Sequence, residues 1–448
     1  MERARSEGPA VTPAMREEGV LVSRSRRIDD VSYRAFLASR EPPRLHWAGL
    51  DGMELAGAGT AARLTASGHE RFASIRERAT ALFSDADCSN TDAPRPRLVG
   101  GFAFDERHEP ADPWVGFPAA EFLLPEVQLT RTDDGTWLTV NRFGTDVDPA
   151  AVEAQLDRAA MAVAELPAMR PSGGSPGVVS TRRTTPKDRW IEMIRDATDR
   201  INSGDLQKVV LGCALEVELA NEVDLPDVLE RLRRTYPNCF RFLVQPTEEA
   251  GFLGAPPERL VRKTGRYVET EALAGSVGRG GTPDADAALA QSLVDSEKIQ
   301  HEQRLVVDAI CEQLAPLGDV TEGSQTVRKL NNIQHLQTPI SVDLDSDRHV
   351  LDLVEALHPT PAVGGLPPEV AAETIREVES FARGWYAAPI GWFDADGDGE
   401  FLVGIRSGLA GGTRATLFAG NGIVGDSDPQ EEWDEIQLKY RPLLDELE

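Results

Sequence analysis

Between Leu166 and Lys187 the chain carries seven prolines and glycines: Pro167, Pro171, Gly173, Gly174, Pro176, Gly177 and Pro186. A helix or central strand does not run through such a stretch. Proline lacks the amide donor, and glycine loses the most conformational freedom on ordering. The 448-residue chain therefore reads as a smaller portion, 26–165, and a larger one, 188–448, joined by a linker at 166–187. The smaller portion is expected to complete the core of the larger rather than to fold alone. Residues 1–25 are polar and read as a frayed terminus.

Helical and strand periodicities mix on both sides of the linker without strict strand–helix–strand alternation, which favours an α+β fold over a doubly wound one. Strands are expected at 97–105, 121–129, 136–142, 207–219, 241–245, 251–254, 260–263, 388–393, 401–407 and 416–421. Helices are expected at 150–163, 190–203, 226–235, most of 284–314, 366–381 and 429–447. No repeat of fixed period is present.

The chain has 47 Lys+Arg against 74 Asp+Glu, a net charge of −27. That excludes a nucleic-acid binder, which needs clustered cations, and an anionic membrane surface. Only six of the cations are lysine. An acidic surface with scarce lysine fits a halophilic protein. The arginine codons of a high-GC genome would also deplete lysine, but they leave the acid excess unaccounted for. The four cysteines, Cys88, Cys213, Cys239 and Cys311, have no zinc-like spacing and read as reduced thiols. With no signal-like segment and no apolar run of membrane-spanning length, a cytoplasmic protein is expected.

Several segments carry candidate chemistry. Asp394–Glu400 begins like a calcium loop, but its twelfth position is Ile405, where a bidentate glutamate is needed. Glu258 follows two prolines among apolar residues. A carboxyl held there is a general-acid candidate, or an ordinary turn residue paired with Arg259. Lys208 heads an apolar strand and is either a desolvated base or an edge lysine. Glu302 lies near the buried side of a helix; Glu432, Glu435 and Lys439 share a face of the last one. Carboxylates converging from two helices suit Mg²⁺, which retains waters; a solvated face is the alternative for each. Arg406, expected on a strand, presents a rigid guanidinium for a carboxylate. Residues 418–424 (FAGNGIV) offer either an anion-receiving glycine pair or an Asn-Gly turn.

Taken in order, nine segments form a pattern: 207–212 (QKVVLG), 252–261 (FLGAPPERLV), 270–276 (TEALAGS), 334–340 (QHLQTPI), 357–365 (LHPTPAVGG), 383–392 (RGWYAAPIGW), 401–408 (FLVGIRSG), 419–424 (AGNGIV) and 427–439 (SDPQEEWDEIQLK). The pattern resembles the chorismate-utilising enzymes, which include isochorismate, salicylate, anthranilate and aminodeoxychorismate synthases. The resemblance covers 188–446 and, more weakly, 26–165 through 100–105. It implies two antiparallel sheets wrapped by helices and a Mg²⁺-dependent reaction on chorismate. It also implies Lys208 as the base that activates water and Glu258 as the acid that protonates the departing hydroxyl. Glu302 and Glu435 become Mg²⁺ ligands, with Glu432 a second-sphere or additional one. Gly275, Ser276, His335, Ala362, Tyr386, Arg406, Gly420, Gly422 and Lys439 become substrate contacts.

Lysine at 208 implies the water-using, isochorismate-forming branch, feeding menaquinone or a siderophore, with no glutaminase subunit. Salicylate synthase shares that first step, and the aminating synthases are the more distant alternative. The expected state is a monomer or weak homodimer. Three positions depart from the family: Cys213, often arginine; Gln303, often histidine in the aminating members; and Asn421, usually alanine. Pro339 and Ala362 are expected near the substrate. A chain of net charge −27 must bind a dianion, so attraction has to be local, from the metal with Lys208, Arg406 and Lys439.

Overall fold

The structure, a computed structural model, describes residues 19–89, 92–167, 173–331 and 333–448. Among these residues the strands form two large, almost wholly antiparallel sheets, one of thirteen strands and one of ten. The first begins at Val178–Arg183 and passes through Lys208–Leu219, Arg414–Ile423, Ser407–Gly411, Gly251–Gly254 and Arg241–Gln245. It continues through Arg44–Ala48, Glu54–Ala58, Val127–Thr132, Gly135–Gly144 and Val20–Ile28. The second runs from Gly318–Glu322 through Ile333–Leu344, Tyr267–Gly278, Arg259–Thr264, Gly399–Val403, Pro389–Phe393, Leu98–Phe102 and Ala120–Leu124 to Ala62–Ala66. Each sheet takes strands from both sides of 166–187.

Three expectations change. Residues 1–18 and 168–172 lie outside the described residues, but Val20–Ile28 is a strand rather than part of a frayed end. It pairs residue for residue with Gly135–Gly144 and carries the two-residue strand Asp87–Cys88 on its other side; its arginines and serines hid a strand buried through Leu21, Val22, Ser23 and Arg24. Inside the supposed linker, Val178–Arg183 pairs with the outer half of Lys208–Leu219. The run 121–129 is split: Ala120–Leu124 belongs to the second sheet and Val127–Thr132 to the first. Pro125, which has no amide to donate, lies at the break.

Two further crossings position the cavity described below. Gly251–Gly254 is in the first sheet and Arg259–Thr264 in the second, so the chain changes sheets over 255–258. Gly399–Val403 and Ser407–Gly411 make the reverse change over 404–406. The crossings are tied together: the Ala255 amide donates to the Arg406 carbonyl (3.1 Å) and the Val403 amide to the Glu258 carbonyl (3.2 Å). Arg406 is therefore not on a strand. Its φ is +51°, and the only other non-glycine residue with positive φ among those described is Ala387, at +58°. Such conformations cost about 1–3 kcal/mol each and persist where surrounding contacts over-determine them. Here the Ala387 amide donates to the Gly404 carbonyl (3.0 Å) and the Gly404 amide to the Ala388 carbonyl (2.8 Å).

On its outer side the strand Lys208–Leu219 pairs with Gly365–Leu366 at its first two residues and with Val178–Arg183 from Leu215 on, which leaves a gap over 210–214. Side chains complete the ladder. The Gly212 amide donates to Glu379 Oε1 (2.7 Å), and Arg383 Nη2 donates to the Val210 carbonyl (2.7 Å). Arg383 also donates through Nη1 to the Val363 carbonyl (2.8 Å) and through Nη2 to Glu379 Oε1 (2.5 Å). Both side chains are buried, so removing one partner strands a charge. Glu379→Ala is expected to cost about 3–5 kcal/mol, read as a lowered midpoint in urea unfolding; an unchanged midpoint would contradict this clamp.

Candidate active site

Lys208, Glu258, Glu302, Glu432 and Glu435 line one cavity of about 350 Å³, together with Gly275, Ser276, His335, Ala362, Tyr386, Arg406, Gly420, Gly422 and Lys439. The helix Pro429–Leu447 starts where Asp428 accepts from the amides of Gln430 (2.9 Å) and Glu431 (3.0 Å). This cap and Pro429 at the first turn fix the end that carries Glu432 and Glu435. The helix Glu297–Leu314, capped by the Ser296 hydroxyl, brings Glu302.

Lys208 is only 1% exposed, and its Nζ donates to Glu302 Oε1 at 2.8 Å. The pair fits because Gly422 stands beside it. A Cβ there would lie 2.6 Å from Glu302 Oε1 and 3.0 Å from Lys208 Cε. The residue range 420–422 is not a turn: it lies within the strand Arg414–Ile423. Glu258 sits in the first crossing, is 5% exposed, and has its carboxyl pushed up to about 8. Burial is the main cause, the charge of Glu271 adds to it, and Lys208 and Arg328 partly offset it. At neutral pH the Glu258 carboxyl keeps its proton.

His335 pairs with Ser276 at a register shift in the Tyr267–Gly278 strand, where Gly275 takes φ +65°. A side chain at 275 would collide with Ile299 at 2.3 Å. His335 Nδ1 donates to the Gly275 carbonyl at 3.0 Å, and Nε2 is buried without a partner. Burial, with Arg406 nearby, pushes this imidazole down to about 3, so it is neutral with Nε2 free to accept. Arg406 Nη1 is likewise buried and unpartnered. One orphaned donor and one orphaned acceptor on the wall suit a ligand that brings both an anionic acceptor and a hydrogen-bond donor. Tyr386 stacks on Phe418 at 5.3 Å, and burial pushes its hydroxyl up.

Burial and the charge of Glu435 push Glu432 up to about 7. Its near neighbour Lys298, a cavity residue that the sequence reading passed over, stands 3.9 Å away. Among the described residues no three His, Cys, Asp or Glu close around a single point. The acidic side of the cavity is thus an excess of hard oxygen donors with only partial counter-charge. Ser296, Glu431 and Lys298 had no distinguishing spacing, and nothing in the sequence set apart Glu379 and Arg383, which the fold buries as an ion pair.

Of the departures, Asn421 is the one beside the site. Its Nδ2 donates to the Glu432 carbonyl (2.6 Å) and to Glu432 Oε2 (3.0 Å), while its Oδ1 accepts from Lys439 Nζ (2.8 Å). Lys439 also donates to Glu435 Oε1 at 2.8 Å. Cys213 faces away, with its Sγ 2.9 Å from the Tyr440 hydroxyl. Gln303 donates to the Ala272 carbonyl (3.1 Å) and Thr338 Oγ1 (2.9 Å) outside the cavity lining. Pro339 is exposed and does not line the cavity, contrary to expectation: it shares the strand face of His335 but lies four residues further along, past the cavity; Ala362 does line it. The Asp394–Glu400 segment joins two strands, with Asp398 accepting from Lys263 at 2.6 Å.

The chorismate binding enzyme family matches residues 9–448. The salicylate biosynthesis isochorismate synthase of Pseudomonas aeruginosa is 37% identical over 436 residues, covering 96% of this chain and 90% of the relative. The isochorismate synthase MenF of Bacillus subtilis is 38% identical over 354 residues, covering 79% of this chain and 74% of the relative. The structure of MenF, the menaquinone-specific isochorismate synthase of Escherichia coli, superposes with a TM-score of 0.80 at 28% identity, covering 96% of this chain and 95% of that one.

Asn421→Ala removes the donor to a buried carboxylate and is expected to destabilise by about 1–3 kcal/mol. Chemical denaturation checks this; no change in stability would mean that the amide does not hold Glu432.

Proposed function

The chain belongs to the chorismate-binding enzyme family, and from that premise we propose that it is an isochorismate synthase acting through Lys208 and Glu258. The observation that carries the mechanism is one cavity holding a buried amine and a buried carboxyl that keeps its proton. The surroundings of Glu258 keep it in its acid form, and the amine of Lys208, once it has passed its proton on, is the base on the same cavity wall. Relatives that are isochorismate synthases over most of the chain support the reaction.

In this reading Lys208 Nζ takes a proton from a water that attacks ring carbon C2. The ring double bonds shift, and the C4 hydroxyl leaves as water with the proton supplied by Glu258. One water enters and one leaves, so the product is an isomer and no redox partner is needed. Lys208 ends protonated and Glu258 ionised, and a proton returns between them through solvent before the next turnover. Arg406 Nη1 receives a substrate carboxylate, and His335 Nε2 accepts from a substrate hydroxyl. Lys439, Tyr386 and the backbone at Gly275, Ser276, Gly420 and Gly422 shape the rest of the site, with Ala362 on the opposing loop.

Glu302 and Glu435, with Glu432 in the outer sphere, fit Mg²⁺. They are hard oxygens, too few to enclose an ion without the waters that Mg²⁺ retains. An ion held by these carboxylates would supply Lewis-acid chemistry, neutralising a substrate carboxylate and polarising the conjugated ring. Lysine rather than an amide at 208 supports water as nucleophile, with no glutaminase partner.

Incubation with chorismate and Mg²⁺ in high-salt buffer is expected to yield isochorismate by chromatography. Salicylate as the product would assign the lyase branch instead, and an ammonia-dependent product the aminating one. Lys208→Ala and Glu258→Gln are each expected to reduce kcat by about 10²–10⁴-fold. Because the acid works protonated, kcat/KM should fall as pH rises through about 8. A profile still rising above that range would remove Glu258 from the role.

A further inference from the structure

Glu271 does not line the cavity, yet it is buried directly behind the acid. It lies on the strand Tyr267–Gly278. Its Oε1 accepts from the Arg259 amide at 3.0 Å, the peptide that follows Glu258. The same carboxylate accepts from Arg328 Nη1 at 3.1 Å and from Gln337 Nε2. Those donors sit on the separate strands Thr326–Lys329 and Ile333–Leu344. Three donors from three segments, one of them the Arg328 guanidinium, converge on the Glu271 carboxylate beside the buried Glu258 carboxyl. Two such groups cannot both ionise cheaply, so a fixed charge on one keeps the proton on the other.

We propose that Glu271 is a positioning residue for the Glu258 acid: it anchors the crossing that carries Glu258, and its charge keeps that carboxyl in its acid form. This rests on the reading of Glu258 as general acid. The charged groups facing Glu258 are Glu271, Lys208 from the Lys208–Leu219 strand and Arg328 from its own strand. Lys208 and Arg328 favour ionisation, and Glu271 opposes it. Without Glu271, burial alone would oppose the two cations facing the acid, and it would lose its proton at lower pH. The pH range over which the acid form predominates then depends in part on a residue that does not line the cavity.

Glu271→Gln separates the two parts of the role. The amide oxygen still accepts from the Arg259 amide, so the crossing stays anchored, but the charge is gone. The alkaline limb of the kcat/KM profile with chorismate and Mg²⁺ should then move down by about one pH unit or more, with activity at lower pH retained. Glu271→Asp should leave the limb near that of the unaltered enzyme. A structural role alone would lower activity at every pH without moving the limb, and a limb at the original pH in Glu271→Gln overturns the proposal. If Glu271→Gln is not folded by circular dichroism, Arg328→Met decides. It removes a cation facing Glu258 and should move the limb up, and an unmoved limb there also overturns the proposal. Glu258→Gln is assayed alongside. Full activity in that variant would show that the acid assignment had failed, whereas an inactive Glu258→Gln with an unmoved limb in Glu271→Gln rejects Glu271 alone.

Discussion

The pair of hydrogen bonds between the two sheet crossings is the constraint on which the site depends. Residues 255–258 pass from the first sheet to the second and residues 404–406 pass back, and each crossing satisfies an amide of the other. A chain leaving a sheet exposes backbone groups that must find partners if they stay buried. Here the two crossings solve that problem for each other. The solution places both Glu258 and Arg406 on the wall of one cavity at the joint between sheets, where it can open without breaking either ladder. It also forces Arg406 into a left-handed backbone conformation, which the second left-handed residue, Ala387, helps to hold from the flanking segment.

Around that joint the charges are arranged by burial rather than by number. Lys208 is balanced by Glu302, Lys439 by Glu435, and Arg383 by Glu379. Glu258 and Glu432 are left with incomplete compensation, and both are pushed toward their protonated forms. A cavity with surplus buried carboxyl groups on one side and orphaned Arg406 and His335 atoms on the other is poised for a cation and an anion together. The overall −27 matters little at that range. Several ångströms from a buried guanidinium, the local field dominates a surface charge that solvent and salt screen. The scarce lysines follow the same logic: every one contacts a carboxylate or, for Lys187, the Trp433 ring.

Much of the site was legible because its residues occur in segments with distinctive composition. The two prolines before Glu258, the apolar run after Lys208 and the capped helix 429–447 could each be read locally. The limits of that reading are equally specific. Arg406 was assigned to a strand because Phe401–Ser407 is continuously apolar around it; nothing local says that the run serves two sheets. The stretch 121–129 misled for the same reason. Glu271 and Arg383 lie in segments of the nine-part pattern, but nothing local gives either side chain a role, and Glu379 lies outside those segments. Their importance comes from the backbone amides and carbonyls that they meet from elsewhere in the chain.

The sequence by itself determined the α+β class, the approximate position of most of the longer helices, and the residue types available for acid, base and oxygen-ligand chemistry. These follow from short-range propensities that do not need the rest of the molecule. The tertiary structure alone decided which sheet each strand joined, which carboxyl groups kept their protons, and which side chains completed the Lys208 strand. Those outcomes depend on desolvation and on contacts between residues far apart in the chain. A carboxyl in water and the same carboxyl behind Glu271 are the same letter in the sequence; only burial beside a second fixed charge makes one of them an acid at neutral pH.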